Sequence, residues 1–243
     1  MTPTSVGQAY LIELGKRIAA LSVANAQGIE RAAGAIVAAA QADRLVYLFG
    51  TGHSHLIAEE AHYRAGGLAF AVPMLAPEFM LHEGAVASTQ FERIEGAVRP
   101  ILERYPVEAG DVLFVISNSG VNAAPLEAAK FGIERGATVV AITSVEYSSA
   151  AAKGRERLAD VAHIVLDNGV PPGDAILHAG TAKIGPVTTS IGAALLNAVC
   201  AEAASWLLPD QGQAPVYLSA NMPGAAEHNA RLIERYRGRN PHL

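Results

Sequence analysis

The sequence predicts a three-layer α/β fold: a doubly wound, five-stranded parallel sheet with helices on both faces and further helices at each end. Three observations predict it. Short runs rich in Val, Ile, Leu and Phe alternate with helix-patterned segments over residues 44–167, as successive βαβ units do. Apolar residues make up 51% of the 243 and charged residues only 17%, a balance that suits strands covered on both faces. Aromatics are sparse at 6%, so Ala-rich helices rather than large rings must cover the sheet. The length suits one domain, with a helical extension over 1–43, a core over 44–208 and a C-terminal helical segment over 209–243.

Residues 5–42 carry helical spacing, with Leu11, Leu14, Ile18, Leu21 and Val23 as expected core positions and Gly28 and Gly34 as expected breaks. The first strand is expected at 44–49. The loop Gly50-Thr51-Gly52-His53-Ser54 follows it, and a helix at 55–65 is stopped by Gly66-Gly67. A strand at 68–72 leads into an irregular stretch, 73–93, with a short helical piece near 79–82, and then a helix at 94–105. The third strand is expected at 111–117, its helix at 122–135, the fourth strand at 138–143, a weaker helix at 148–158 and the fifth strand at 163–167. Residues 168–183 are Pro- and Gly-rich and read as a long loop. Pro186 then opens a helix that runs to 208, and an amphipathic helix with a basic end covers 223–237.

Composition excludes some roles. The net charge is −5, and no basic stripe runs along the 18 Lys and Arg residues, so a nucleic-acid partner is not expected. The single Cys200 excludes an intramolecular disulfide and fits a reducing compartment. No leader segment is apparent, and no apolar run reads as long enough to span a bilayer. The apolar stretch 191–208 contains Asn197, Glu202 and Ser205 and reads as a core helix. A cytoplasmic protein without a membrane partner is therefore expected.

The most informative stretch is 111–143, a strand–loop–helix–strand unit whose loop reads Ser117-Asn118-Ser119-Gly120 and whose helix opens at Asn122. Two hydroxyls, two amides and several backbone N–H groups meet there at a helix N-terminus, where unpaired donors and the helix dipole favour an anion. No Lys follows the glycine as in a P-loop. In the first loop, Ile57 stands where a dinucleotide motif needs its third glycine. In a doubly wound sheet both loops lie at the carboxyl edge of the strands, where ligands bind. A purely structural turn, its hydroxyls capping the next helix, is the competing reading.

Together, GTGHS after the first strand and ISNSGVN after the third resemble the sugar isomerase (SIS) domain, over residues 44 to about 167. The pattern, with GTGHSHLIAEE, MLHEGA and DNGVPPGDA, is similar to a group of stand-alone SIS-domain proteins related to phosphoheptose isomerase. The resemblance implies the flavodoxin-like variant of the fold. It implies phosphate binding by Ser117, Asn118, Ser119 and Asn122, with Asn122 standing where the family usually has Thr, and sugar or phosphate contacts from Gly52, His53 and Ser54. It also implies a sugar phosphate as ligand and a homodimer or homotetramer with shared sites.

Isomerisation of a phosphosugar requires a carboxylate to move a proton between C1 and C2, and a group to open the ring. His55 and Glu59 are four apart, on one helical face just past the first loop, and His62 extends the stripe. Glu60 is adjacent but points elsewhere. His82-Glu83 falls in irregular chain, where functional residues concentrate. Glu59 and Glu83 are therefore the candidate bases, and His55 and His82 the candidate ring-opening or positioning groups. An ordinary surface pair is the competing reading of His55 and Glu59. No cofactor is expected. Zinc, which phosphoheptose isomerases hold with a His-x-x-x-Glu pair, is the alternative, but that pair lies further from the first-loop serine than it does here. The carboxylate the family carries after the fifth strand has only Asp174 as a counterpart. Lys183 and His228 are further candidates for ligand contact. Three functions remain open: an aldose–ketose sugar-phosphate isomerase, a non-catalytic phosphosugar sensor, and a lyase or etherase acting on a phosphorylated amino sugar.

Overall fold

The computed structural model describes residues 5–211 and 215–243; residues 1–4 and 212–214, which fall in the expected terminal segments, lie outside the described residues. Five parallel strands form the sheet: β1 (Val46–Gly50), β2 (Ala71–Pro73), β3 (Val112–Ile116), β4 (Thr138–Thr143) and β5 (Ile164–Asp167). Their spatial order is β2-β1-β3-β4-β5, the doubly wound arrangement expected. Strand order reverses between β1 and β3, which is where such sheets bind ligands. Gly50 pairs with Ile116, so the two polar loops leave the sheet side by side. All residues of β1 and β3 are buried, as strands covered on both faces must be.

Helices cover the sheet as follows: α1 (Val6–Ala24), α2 (Ala26–Gln41), α3 (Ser54–Glu60), α4 (Ala85–Phe91), α5 (Arg99–Leu102), α6 (Ala123–Glu134), α7 (Val145–Ala152), α8 (Leu158–Val161), α9 (Thr188–Gln211) and α10 (Ala225–Tyr236). Ser5 starts α1 with a capping box, accepting from the Gln8 N–H at 3.2 Å while Gln8 Oε1 accepts from the Ser5 N–H at 3.1 Å. Large side chains fill the core: Tyr47 and Phe49 from β1, Phe114 from β3 and Phe131 from α6 are fully buried.

Several expectations are corrected. The break between α1 and α2 falls at Asn25, not at Gly28 or Gly34; the Asn25 amide donates to Asp167 O at 2.9 Å and ties the break to the end of β5. Of the expected α1 core positions only Leu21 is buried, while Leu11 and Val23 are 67% and 82% exposed. The helix expected at 94–105 shrinks to α5, because Gly96 takes a left-handed φ of 78°. The expected loop 168–183 contains an antiparallel hairpin, β6 (Ala175–Ala179) with β7 (Ala182–Pro186), so Pro186 ends a strand instead of opening α9.

Asp174 organises that hairpin. Its Oδ1 accepts from the N–H groups of Val187 at 3.0 Å and Thr188 at 2.8 Å, and from the Thr188 hydroxyl. The carboxylate thus caps the N-terminus of α9. Residues Thr188–Leu208 are, by length and composition, long and apolar enough to cross a membrane, contrary to the expectation from the sequence. Here they pack on α2 and α3, with Ile191, Leu196, Val199 and Leu207 buried. Burial pushes the Cys200 thiol on this helix up to about 12, so it stays protonated at neutral pH.

Candidate functional site

The first loop is held by close backbone packing. A Cβ on Gly50 would meet the Ser54 carbonyl carbon and oxygen at 2.5 Å, so only glycine lets β1 turn directly into α3. The Gly52 N–H donates to Phe79 O at 2.8 Å and the Ser54 N–H to Thr51 O at 2.9 Å. His55, only 4% exposed, hydrogen-bonds through Nδ1 to Gly52 O. Its Nε2 lies 3.8 Å from Glu59 Oε2, and its ring is 6.1 Å from the ring of His82. His82 in turn lies 3.8 Å from Glu83. The four residues expected to carry catalysis therefore gather around the first loop. His55 is buried, whereas His82, Glu59 and Glu83 are exposed. His53 is exposed and Ser54 half-buried beside them.

The second loop is anchored from beneath. Asn118 O accepts from the Ser144 N–H at 3.2 Å and the Thr143 hydroxyl at 3.3 Å, and Asn118 Oδ1 accepts from Asn168 Nδ2 at 3.1 Å. Ser117, buried, closes the turn by accepting from the Gly120 N–H at 3.2 Å. Gly120 has φ +60°, and a Cβ there would sit 3.0 Å from the Thr143 hydroxyl. The backbone N–H groups of Ser119, Val121 and Asn122 have no acceptor among the described residues. Those three residues, at the start of the twelve-residue α6, line a cavity of about 750 Å³ whose wall also includes Lys130, Tyr147 and Arg155.

One residue joins the two loops, and sequence reasoning missed it. Glu92, at the end of α4, accepts from the Thr51 hydroxyl at 2.8 Å through Oε2 and from Asn122 Nδ2 at 2.9 Å through Oε1. Its carbonyl accepts from the Ala124 N–H at 3.1 Å. Its side chain is 18% exposed. Asn122 occupies the N-cap position of α6, but its side chain makes no cap hydrogen bond there. The amide bridges to Glu92 instead, with one N–H left over.

The remaining candidates lie elsewhere. His62 follows α3 at the opposite edge of the sheet, its ring 6.1 Å from that of His242 and its Nδ1 buried without a partner. Lys183 is exposed on the hairpin opposite His178. His228 donates through Nε2 to Val216 O at 2.9 Å within the C-terminal segment. Among the described residues, no three His, Cys, Asp or Glu side chains form a group able to hold a metal.

Comparison with known proteins agrees with this architecture. The SIS domain profile matches residues 9–144. A UPF0309 protein of Brucella canis is 57% identical over 242 residues, covering 99% of this chain and all of the relative. Among solved structures, phosphoheptose isomerase GmhA of Neisseria gonorrhoeae superposes with a TM-score of 0.55 at 23% identity, over 81% of this chain and 96% of that one. The sugar isomerase domain of the RpiR transcription factor of Sphaerobacter thermophilus superposes with a TM-score of 0.50 at 16% identity, over 96% and 98%. At these identities the structural likenesses establish the fold, which an enzyme and a regulator share.

Proposed function

The chain belongs to the SIS-domain family, and from that premise we propose that it binds a sugar phosphate at the loop between β3 and α6 and acts as an aldose–ketose isomerase. One observation carries the reading. Unpaired N–H groups of Ser119, Val121 and Asn122, with the Ser119 hydroxyl, converge at a helix N-terminus beside a cavity. That is the arrangement that favours a phosphate dianion over water. In a chain of net charge −5, such local donors must do what the overall field cannot.

In this reading the phosphate rests on Ser119 and the loop N–H groups, and the sugar extends toward the first loop. A carboxylate removes the C2 proton and returns it to C1 through an enediol, and an imidazole transfers a proton at the ring oxygen. Glu59 and Glu83 are the proposed bases, and His55 and His82 the proposed ring-opening groups. Titration calorimetry with a panel of sugar monophosphates tests binding. Absence of binding at millimolar concentration rejects the proposal. NMR in deuterated water tests the chemistry: isomerisation through an enediol exchanges the C2 proton, and Glu59→Gln or Glu83→Gln should stop it.

A second reading, a non-catalytic phosphosugar sensor, is favoured by one observation: His55, Glu59, His82 and Glu83 do not line the cavity. Binding without turnover in both the parent chain and the two Gln variants would select it. Assembly into a homo-oligomer is also proposed. The α1 helix exposes Val6, Leu11, Ile12 and Val23, and exposed large apolar side chains of this kind are often covered by a partner. A sedimentation profile of 25.3 kDa monomer alone would reject this.

A further inference from the structure

The cavity beside the second loop has a far wall that the phosphate cradle does not use. Its volume of about 750 Å³ lies toward the upper end of the roughly 300–1,000 Å³ range for small-molecule sites, more room than a sugar monophosphate alone requires. Three cations, Arg93, Lys130 and Arg155, line it together with three carboxylates, Glu95, Glu127 and Glu156. Lys130 pairs with Glu156 at 2.6 Å and Arg93 with Glu92 at 3.3 Å. Arg155 has no carboxylate partner among the described residues. Its Nε and Nη2 donate to the carbonyls of Ala152 and Ala151, each at 3.1 Å.

Those two bonds fix the guanidinium plane at the end of α7 and leave the other three of its five N–H donors unengaged. The turn that carries Arg155 leans on the phosphate loop: the Leu158 N–H donates to Gly120 O at 2.7 Å. One cavity therefore holds two separate anion receptors, the N-terminus of α6 and an oriented, unpaired arginine.

We propose that this pocket takes a sugar phosphate bearing a second anionic group, a carboxylate or a second phosphate, with Arg155 as the receptor for that group. The proposal rests on the phosphosugar reading and narrows its substrate class. A planar guanidinium matches the fork of a carboxylate or phosphate. A ligand that spans both receptors places one charge on each and avoids forcing two anions onto a single helix end. If Arg155 only capped α7, its removal would lower Tm and weaken every ligand equally.

The test is titration calorimetry on the full chain with fructose 6-phosphate, fructose 1,6-bisphosphate and 6-phosphogluconate, for the parent and for Arg155→Met and Arg155→Lys. The parent is expected to bind at least one of the two doubly anionic sugars about tenfold or more tighter than the monophosphate. Arg155→Met should abolish that preference while fructose 6-phosphate still binds, with only the small drop in Tm that losing two carbonyl bonds at the end of α7 brings, and Arg155→Lys should retain part of the preference. The inference is overturned, with the phosphosugar reading intact, if the parent binds the monophosphate with no such preference or if Arg155→Met weakens all three equally. If none of the three binds, the phosphosugar reading falls and the inference falls with it.

Discussion

The loop after β1 and the loop after β3 leave the sheet at neighbouring register positions, yet they are built on opposite principles. The first is fixed by what touches it. Gly50 lies against the Ser54 backbone, Gly52 bonds to Phe79, and His55 folds back onto Gly52. The N–H groups of Gly52 and Ser54 are bonded internally, and the titratable groups around this loop are its imidazoles and carboxylates. The second is fixed from below, by Ser117 and Asn118, and its upper N–H groups stay unpaired. One loop thus presents titratable side chains and the other presents backbone dipoles. Glu92 holds them together.

The comparison predicts unequal mutational costs. The largest effect should come from Gly50→Ala, since the new methyl group would meet immovable backbone at 2.5 Å. A loss of about 3 kcal/mol is expected, read as a large drop in Tm or in the urea midpoint. If Gly50→Ala keeps the parent's Tm, the first loop is not the rigid element described. Next comes Glu92→Ala, which leaves the Thr51 hydroxyl and Asn122 amide without their acceptor. A loss of about 2 kcal/mol is expected. Glu92→Gln should cost less, because Oε1 survives as an acceptor for one of the two bonds. Equal losses for the two variants would mean that the carboxylate does not bridge the loops as a hydrogen-bond acceptor.

How far the sequence could be read differs between the two loops for the same physical reasons. The β3–α6–β4 unit was legible because its cues are local: two apolar runs, a polar turn and a helical pattern, with β4 falling on its expected residues. Glu92 was not legible. In sequence it sits in Phe91-Glu92-Arg93, like any solvated charge, and only the fold brings it to partners 41 and 30 residues away. Asp174 looked like a loop carboxylate because its capping partners lie 13 and 14 residues on. The hairpin did have a local signal: two short apolar runs separated by Gly180-Thr181, with Gly180 at φ +61°, the two-residue turn that hairpins favour. The Pro171-Pro172-Gly173 run before it carries the composition of a loop. On α1, helical periodicity located the helix but could not say which apolar residues the rest of the chain would cover.

A smaller effect separates two serines that sit two residues apart. Ser117→Ala should lower Tm, because its oxygen closes the turn onto Gly120, by about 1 kcal/mol. Ser119→Ala should leave Tm unchanged and weaken sugar-phosphate binding by roughly tenfold, the value of one charge-assisted hydrogen bond. Thermal melts and calorimetry on the same two variants give the comparison. If Ser119→Ala binds as the parent does, the cradle does not use its hydroxyl.

The smallest expected effect probes the far end of the first-loop helix. Burial holds His62 below the ordinary value of 6.5 and does the same to His242, whose nearby ring adds to the opposition when both are charged. The groups around His62 are His242 and Tyr63; against burial, backbone hydrogen bonds to His242 and Ala71 and, at longer range, the carboxylate of Glu59 favour its protonation. The sign follows from linkage. A histidine whose folded pKa is lowered contributes stability that is fully present above 6.5 and is lost as pH falls through the folded value, because the unfolded chain takes up the proton first. Tm should therefore decline as pH is lowered from 7 to 5, and His62→Phe should flatten part of that decline while leaving Tm at pH 7.5 within a few degrees of the parent. Because His62 closes the helix that begins at the first loop, ligand binding that follows the same pH profile in the parent, and loses it in His62→Phe, would tie the first loop to the far edge of the sheet. The second loop, anchored through Asn118 and Ser117, has no histidine in its support and should keep its affinity for sulfate, which stays a dianion, across that range. A drop in sulfate affinity parallel to the fall in Tm would show that the two loops do not behave as separate elements.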